Sequence, residues 1–278
     1  MSRTATDVGP AGRFPGRSPQ PAIDPAWQPW LDLLGIALGT TGDPAWSGIV
    51  VLADHRDAGA PLLDGASLRL DRDRVNALAR ELAVRAGFVA VEAIDGREII
   101  RASVMRDAEA LGRIAELLAV PLDAVAVVGQ LAALPVLHGC VPLLEDRTQR
   151  VWQRGYCPVC GAWPTLAELR GIERDRRLRC GCCGADWPLP VLHCVFCDEI
   201  DHRKLGSLAP DSDEQQVRVE TCETCHGYLK SVTTLGALAL DALALRDLAT
   251  VSLDLAAQEL GYNRPSPTGF PLHVSLLS

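Results

Sequence analysis

The feature that most constrains the fold of this 278-residue chain is a series of four CxxC pairs. Two intervening residues allow a tight turn to direct both sulfurs of a pair at one ion, and four thiolates form the tetrahedral site that zinc or iron favours. Eight paired thiolates therefore predict two metal sites. The pairs are Cys157 and Cys160, Cys180 and Cys183, Cys194 and Cys197, and Cys222 and Cys225.

The spacing favours sequential pairing, with the first two pairs on one ion and the last two on another. Nineteen residues separate Cys160 from Cys180, a spacing typical of a zinc ribbon, and twenty-four separate Cys197 from Cys222. Four pairs allow three combinations, so spacing alone leaves the pairing open. The donor set accepts both iron and zinc, so the sequence predicts two thiolate-bound ions without choosing between these metals.

The remaining cysteines and the nearby histidines compete with this assignment. Cys182 lies inside the second pair and is an alternative ligand, although the CxxC spacing favours its neighbours. Cys140 lies in a long apolar stretch and is expected to be a small buried apolar residue. His193, His202 and His226 lie near the thiols. Because eight paired cysteines already complete two sites, we expect these histidines beside the centres rather than in them.

Disulfide bonds and redox-active thiols are the alternative uses of these cysteines. Residues 1–16, MSRTATDVGPAGRFPG, lack the apolar stretch of a secretory signal, so a disulfide-forming compartment is not expected. A redox CxxC pair normally stands alone near a strand–helix junction, whereas four pairs follow one another here. We therefore expect a metal-binding protein.

Composition divides the chain near residue 150. Apolar residues recur at helical spacing before this point, whereas residues 151–232 contain few large apolar side chains. So small a core makes folding dependent on metal, which contributes on the order of 10 kcal/mol per structural site. The expected organisation is a Pro-rich flexible arm at 1–24, an α-helical domain at 25–150, two metal ribbons at 151–234, an amphipathic helix at 235–262 that packs back on the helical domain, and an extended tail at 263–278.

Two stretches of the helical domain carry distinct patterns. Residues 71–86 show apolar side chains at helical spacing and are followed by Gly87, which predicts a helix and its end. Residues 124–144 carry no charge and approach the length of a membrane span, but Pro135 and other breakers interrupt them. We expect a buried, kinked helix with His138 in or near its core, and no membrane insertion.

Glycine and tryptophan follow the first two CxxC pairs. Gly161 and Gly184 come directly after the pairs and allow backbone N–H groups to offset the negative charge of a thiolate cluster. Trp163 and Trp187 follow closely and are expected to cover the metal loops.

The charge of the chain argues against a nucleic-acid partner and suggests a protein partner. The net charge of −8 argues against a nucleic-acid-binding protein, whose binding face is usually basic. Arginines cluster in the first ribbon, and Arg174, Arg176 and Arg177 are candidates for docking a protein partner. The alternative is that these side chains are ordinary solvated loop residues.

Several segments together resemble the formate dehydrogenase accessory protein family, FdhE. These are GYCPVCGAWP, CGCCGADW, CVFCDE, ETCETCHGYLK and DLAAQELGYNRP, and the resemblance extends over roughly residues 60–264. It implies a cytoplasmic protein with a mainly α N-terminal domain, a rubredoxin-like double metal ribbon with small β structure, and a closing C-terminal helix. By position, the metal ligands of the family fall on the eight paired cysteines.

The resemblance also implies a function. Members of this family are needed for active formate dehydrogenase and interact with its catalytic subunit, which carries a molybdenum or tungsten cofactor. The chain departs from the family in its Pro-rich arm and in the tail sequence SPTGFPL. A partner contact made by the tail is therefore not expected to carry over.

Three functions are compatible with these patterns. The first is a non-catalytic maturation or quality-control factor that binds the formate dehydrogenase catalytic subunit. The second is a redox or sulfur-handling protein that uses exposed CxxC thiols, and the third is a zinc-ribbon nucleic-acid adaptor. The sequence contains no recognisable nucleophile–base set or phosphate loop, and a closed four-thiolate site has no open coordination position. We therefore expect a protein that is not an enzyme.

Overall fold

The computed structural model describes residues 24–54, 57–144, 152–209, 217–265 and 268–277, so residues 1–23 of the expected Pro-rich arm at 1–24 lie outside the described residues. The described N-terminal part is mainly helical, as expected, and contains five α-helices. They are α1 (Gln28–Thr40), α2 (Arg72–Arg85), α3 (Gly96–Met105), α4 (Ala108–Leu118) and α5 (Leu122–Gly139).

Aspartates define the starts of the three central helices. The side chains of Asp71, Asp95 and Asp107 each accept a hydrogen bond from a backbone N–H in the first turn of α2, α3 and α4. Such N-caps typically stabilise a helix by about 1 kcal/mol. Gly96 opens α3 because a Cβ there would lie 2.4 Å from the carbonyl oxygen of Val75 in α2. The two helices therefore pack closely at this point.

Helix α5 is the central element of the helical part. It is long and apolar enough to cross a membrane, but 61 % of its most apolar window is buried inside the fold. It packs against α1, α2, α3 and α4 and carries Pro135 in its interior. The expectation of a buried core helix is confirmed, and the helix continues through Pro135.

The cysteine-rich region forms one six-stranded sheet rather than two separate ribbons. The strands are β3 (Leu166–Arg170), β4 (Asp175–Arg179), β5 (Asp186–Pro188), β6 (Leu205–Leu208), β7 (Val217–Cys222) and β8 (Tyr228–Thr234). Their spatial order is β5-β4-β3-β8-β7-β6. Parallel pairing of β3 with β8 joins the strands of the first ribbon to those of the second, and the other neighbours are antiparallel.

The closing segment differs from the single helix expected at 235–262. It forms two helices, α6 (Leu240–Leu248) and α7 (Val251–Glu259). The Thr250 hydroxyl donates to the carbonyl oxygens of Arg246 and Asp247, and this competition with the helical hydrogen bonds accompanies the break.

These helices pack mainly on the metal-ribbon sheet, so the expectation that they return to the helical domain is wrong. Leu243 is buried with Leu166 and Val232, and Ala257 is buried with Tyr228. Lys230, fully buried on β8, pairs with aspartates of both helices, because a buried ammonium requires such partners.

The tail, not the helix, returns to the N-terminal part. Strands β1 (Val50–Val51), β2 (Ser67–Leu68) and β9 (Ser275–Leu276) form a small sheet, with β9 parallel to β2. The N-terminal part is therefore not purely helical, and the tail contributes one strand to its small sheet.

Candidate metal centres

The fold brings the eight paired cysteines into two groups, with the sequential pairing that their spacing favours. In each group all four Sγ atoms lie within 4.8 Å of one another. The first group contains Cys157, Cys160, Cys180 and Cys183, and the second contains Cys194, Cys197, Cys222 and Cys225. We refer to them as the first centre and the second centre.

The sulfur spacing fits a tetrahedral ion. The Sγ–Sγ distances are 3.5 Å for Cys157–Cys183 and for Cys160–Cys180. In the second centre they are 3.7 Å for Cys194–Cys225 and for Cys197–Cys222. A tetrahedron with metal–sulfur bonds of ~2.3 Å has edges of ~3.8 Å. Both groups can therefore hold one zinc or iron ion in a closed four-thiolate site, with no position left for a substrate.

Each CxxC loop folds as a knuckle whose backbone supports the sulfurs. The N–H groups of Val159 and Phe196 donate to Cys157 Sγ and Cys194 Sγ at 3.4 Å. The residue after the second cysteine of every knuckle has a left-handed conformation, with φ between +53° and +82°. These residues are Gly161, Gly184, Asp198 and His226.

The first centre lies between the helical part and the sheet. All four of its cysteines are buried. From α5, His138 Nδ1 lies 2.8 Å from the carbonyl oxygen of Cys183, and from the end of α3 the Arg106 guanidinium donates to the carbonyl oxygen of Cys160 at 3.1 Å. The tail contributes Phe270, whose N–H donates to the carbonyl oxygen of Gly161. Three separate parts of the chain therefore meet at this centre.

The second centre lies at the surface of the sheet. Cys197 and Cys225 reach the surface, whereas Cys194 and Cys222 are buried. Around it, Glu199 accepts hydrogen bonds from the Thr224 hydroxyl at 2.6 Å and from backbone N–H groups, and it pairs with a lysine at 3.3 Å. These contacts, led by the hydrogen bond from Thr224, lower the pKa of Glu199 to about 2. The carboxylate thus ties together the two knuckles of this centre.

Aromatic side chains connect the two centres. Trp163, which follows the first knuckle, meets Phe196 of the third knuckle edge to face, with ring centroids 5.2 Å apart. Trp187 is fully buried and donates from Nε1 to the carbonyl oxygen of Arg154. Both tryptophans pack next to the metal loops, as the sequence predicts.

The other candidate ligands lie outside the two groups. Cys140 is buried, its thiol donates to the carbonyl oxygen of Val136, and burial raises its pKa to about 12. It is the small buried residue that the apolar stretch predicts. Cys182 is only partly buried and lies 3.9 Å from an Arg106 nitrogen. His193 contacts Asp198 at 3.1 Å.

The three arginines predicted to dock a partner do not form one exposed surface. Arg176 is buried, where it donates to the carbonyl oxygen of Pro190 and pairs with Glu220. Arg177 is partly buried and pairs with Asp186 at 2.9 Å. Arg174, in the turn between β3 and β4, is exposed. The prediction fails for Arg176 because β-strand alternation turns its side chain inward.

Three residues that support the knuckles of the two centres were not predicted from the sequence. Arg106 and His138 contact knuckle carbonyl oxygens, and Glu199 links two knuckles. Arg106 and His138 are distant from the cysteines in sequence, so local spacing carries no signal for them. Glu199 follows Cys197 by two residues, and this proximity was the one available signal.

Comparisons with known proteins agree with this geometry. Residues 191–270 match the family model described as "FdhE, C-terminal domain". A protein named "Protein FdhE homolog" from Aquifex aeolicus is 34 % identical over 134 residues, covering 46 % of this chain and 45 % of that protein. A homologue of the same name from Pseudomonas aeruginosa is 35 % identical over 144 residues, covering 49 % and 46 %.

The fold has a solved counterpart. The crystal structure of the FdhE protein from Pseudomonas aeruginosa superposes with a TM-score of 0.52 at 23 % identity, covering 87 % of this chain and 88 % of that chain. The sequence alignments span about half the length of the curated relatives. Together these matches confirm the resemblance to the FdhE family and the fold class that it implies.

Proposed function

From the FdhE resemblance we propose that this chain is a non-catalytic accessory factor for formate dehydrogenase in the cytoplasm. It binds the catalytic subunit and favours the immature form that lacks its molybdenum or tungsten cofactor. The observation that carries this proposal is the pair of closed four-cysteine centres. Four thiolates around each ion hold the sheet in shape and leave no coordination position for a reacting molecule.

In this proposal the metal ions have a structural role. The paired cysteines hold two ions, iron or zinc, and each ion fixes the positions of two knuckles. The chain's own residues do the rest. They support the thiolates with backbone N–H groups and present the outer side chains of the sheet to a partner.

A patch at one end of the sheet is suited to that contact. Ile172 and Leu235 are 100 % and 98 % exposed, and the paired ends of β3 and β8 bring them close, since the Gly171 N–H donates to the Thr234 carbonyl oxygen at 2.9 Å. The exposed Arg174 lies in the same turn as Ile172. Adjacent exposed apolar side chains next to a cation are typical of a protein-binding surface. We call Ile172, Arg174 and Leu235 the hairpin patch.

Preference for an immature subunit requires different affinities for its two forms. A binding protein shifts a conformational equilibrium only by the difference in its affinity for the two states. The accessory role therefore depends on tighter binding to the cofactor-deficient subunit than to the loaded one.

The proposal is tested by measuring binding to the cofactor-deficient and cofactor-loaded catalytic subunit at matched salt. We expect tighter binding to the deficient form. Replacing both Ile172 and Leu235 with aspartate should weaken it, whereas Val89→Asp, at a site 93 % exposed on the helical part, should not. Arg174→Glu should mainly slow association.

Two results would contradict the proposal. Equal affinity for both forms of the subunit would remove the maturation role. Absence of binding to either form, together with reactive thiols in the metal-loaded protein, would favour the redox alternative, for which the exposed Cys197 and Cys225 are the candidates.

A further inference from the structure

A cavity lies between the helical part and the region of the first centre. None of the eight paired cysteines lines it. Its volume is about 560 Å³. One wall comes from the end of α3, the first turn of α4 and one face along α5, and the other from the loop after the first knuckle and from Phe196. Leu122 and Gln130 at its rim are exposed, so the cavity opens to solvent.

The body of the cavity is apolar and partly aromatic. Trp163 and Phe196 form one side, and Leu111, Ala126 and Leu137 form the other. An apolar, water-accessible volume of this size is typical of a small-molecule site. The aromatic rings also favour a flat or aliphatic ligand body over a hydrated ion.

The polar groups at one end of the cavity are mainly donors. The Arg106 guanidinium lines it, and its contacts with Cys160 and Cys182 leave further N–H groups of its five donors for a ligand. Gln130 lies beside it, with its amide nitrogen 3.9 Å from Cys182 Sγ. Ser103 also lines the cavity, but its hydroxyl oxygen is buried against Gly129 of α5 and is not available to a ligand.

The cavity carries charges of both signs. Asp123, in the first turn of α5, lines it and offsets the positive end of that helix. The second arginine at the cavity, Arg264, is paired with Asp247 and Asp254. Arg106 is therefore the cation of the lining that has no carboxylate partner among the described residues.

We propose that this cavity binds a small organic anion. The apolar body of the ligand lies against Trp163 and Phe196, and its acidic group receives hydrogen bonds from Arg106 and Gln130. Because Arg106 also contacts Cys160 and Trp163 follows the first knuckle, occupancy links the first centre to the helical part.

The test uses two fluorescent probes that differ in charge, with the metal-loaded full chain. Anilinonaphthalene sulfonate combines an aromatic body with an anionic group, and N-phenylnaphthylamine is a neutral analogue. We expect the anionic probe to bind with about one equivalent per chain and more tightly than the neutral probe. Metal content measured in parallel verifies that each variant retains both centres.

Three variants locate and characterise the site. Ala126→Phe fills the cavity and should abolish binding of both probes, whereas Val127→Phe, on the neighbouring exposed position of α5, should leave binding unchanged. Arg106→Gln should weaken the anionic probe about tenfold or more and leave the neutral probe nearly unaffected, because a charge-assisted hydrogen bond is lost.

The proposal is overturned by either of two results. Unchanged probe binding to Ala126→Phe would show that the probe occupies another surface. Equal affinity of the two probes, together with no effect of Arg106→Gln, would show an apolar cavity without anion preference. If Arg106→Gln loses metal, the Ala126→Phe and Val127→Phe pair still decides the location, and the two probes on the wild-type protein still decide the charge preference.

Discussion

The two four-cysteine centres offer the same donor set in different surroundings. The first centre is buried where helices, sheet and tail meet, and its left-handed knuckle positions are glycines. The second centre has two cysteines at the surface, and Asp198 and His226 occupy the equivalent positions. The difference indicates that the first centre organises the whole molecule, whereas the second stabilises a local surface.

The contacts around each centre support this division. Arg106 and His138 connect the first centre to α3 and α5, so its loss affects packing between the two parts of the chain. The second centre depends on neighbours close to its own knuckles, such as Glu199 and Thr224. Local opening near a surface costs less free energy than opening of a buried core.

The largest expected effect comes from removing one centre at a time. Cys157→Ser with Cys160→Ser should abolish binding of one metal equivalent, forfeiting on the order of 10 kcal/mol of metal-binding free energy. The strands next to this centre should unfold and the contact with the helical part should loosen, while the helices largely remain. Bound metal, far-UV circular dichroism and thermal unfolding measure these changes.

The matched variant is Cys194→Ser with Cys197→Ser. It should also lose one equivalent but retain the first centre and more of the sheet signal, with a smaller fall in melting temperature. Two full equivalents in either double variant would show that the ligands are misassigned. An equal fall in melting temperature for both would contradict the difference between the centres.

A smaller effect is expected at the left-handed knuckle positions. Gly161→Ala should destabilise the protein by about 1–3 kcal/mol, because a Cβ is unfavourable at positive φ. That Cβ would also lie 2.8 Å from the Phe270 carbonyl oxygen. Asp198→Gly should change stability by less than about 0.5 kcal/mol, because aspartate tolerates this conformation and its side chain is exposed.

Urea unfolding of the metal-loaded proteins measures both changes. Gly112→Ala in α4 is the control, because nothing lies within 4 Å of its added Cβ. It should stabilise the protein by about 0.5–1 kcal/mol. A Gly161→Ala protein as stable as the wild type would show that neither the positive φ nor the contact with the Phe270 carbonyl oxygen restricts the residue at position 161.

The smallest effect concerns Glu199. Its pKa is lowered from 4.5 to about 2, so its contribution to stability is fully present above pH 4.5 and is lost as pH falls towards 2. At pH 7, Glu199→Gln should accelerate metal release from the second centre by about twofold to fivefold, as for an exposed ion pair. Release from the first centre should not change.

Stopped-flow release to a chromophoric chelator measures these rates. Unfolding measurements at pH 7 and at lower pH add a second readout, since the stability difference between variant and wild type should shrink as the pH approaches 2. A variant that accelerates release from both centres equally would contradict a local role of this carboxylate.

Local patterns predicted much of this structure. The CxxC spacing predicted two four-cysteine groups and favoured their sequential pairing, because two intervening residues define a knuckle without help from the rest of the chain. Apolar spacing predicted α2, and the charge-free stretch predicted the buried α5 with Pro135. These features depend on residues close together in sequence.

Long-range pairing was not predictable in the same way. The parallel pairing of β3 with β8 that joins the ribbons, and of β2 with β9 that anchors the tail, involves residues far apart in sequence. The break at Thr250 is accompanied by contacts of its hydroxyl with two carbonyl oxygens, which an apolar stripe does not reveal. Arg176 was predicted to be exposed because composition cannot show which side of a strand faces inward.

The most direct test of the difference between the centres is the time course of metal release from the wild-type protein to excess chelator. The structure predicts two phases of one equivalent each, with the second centre at least about tenfold faster, which requires only ~1.4 kcal/mol less opening free energy. The Cys194→Ser, Cys197→Ser protein should retain only the slow phase. A single phase for two equivalents, or a slow phase that disappears in this variant, would contradict the account.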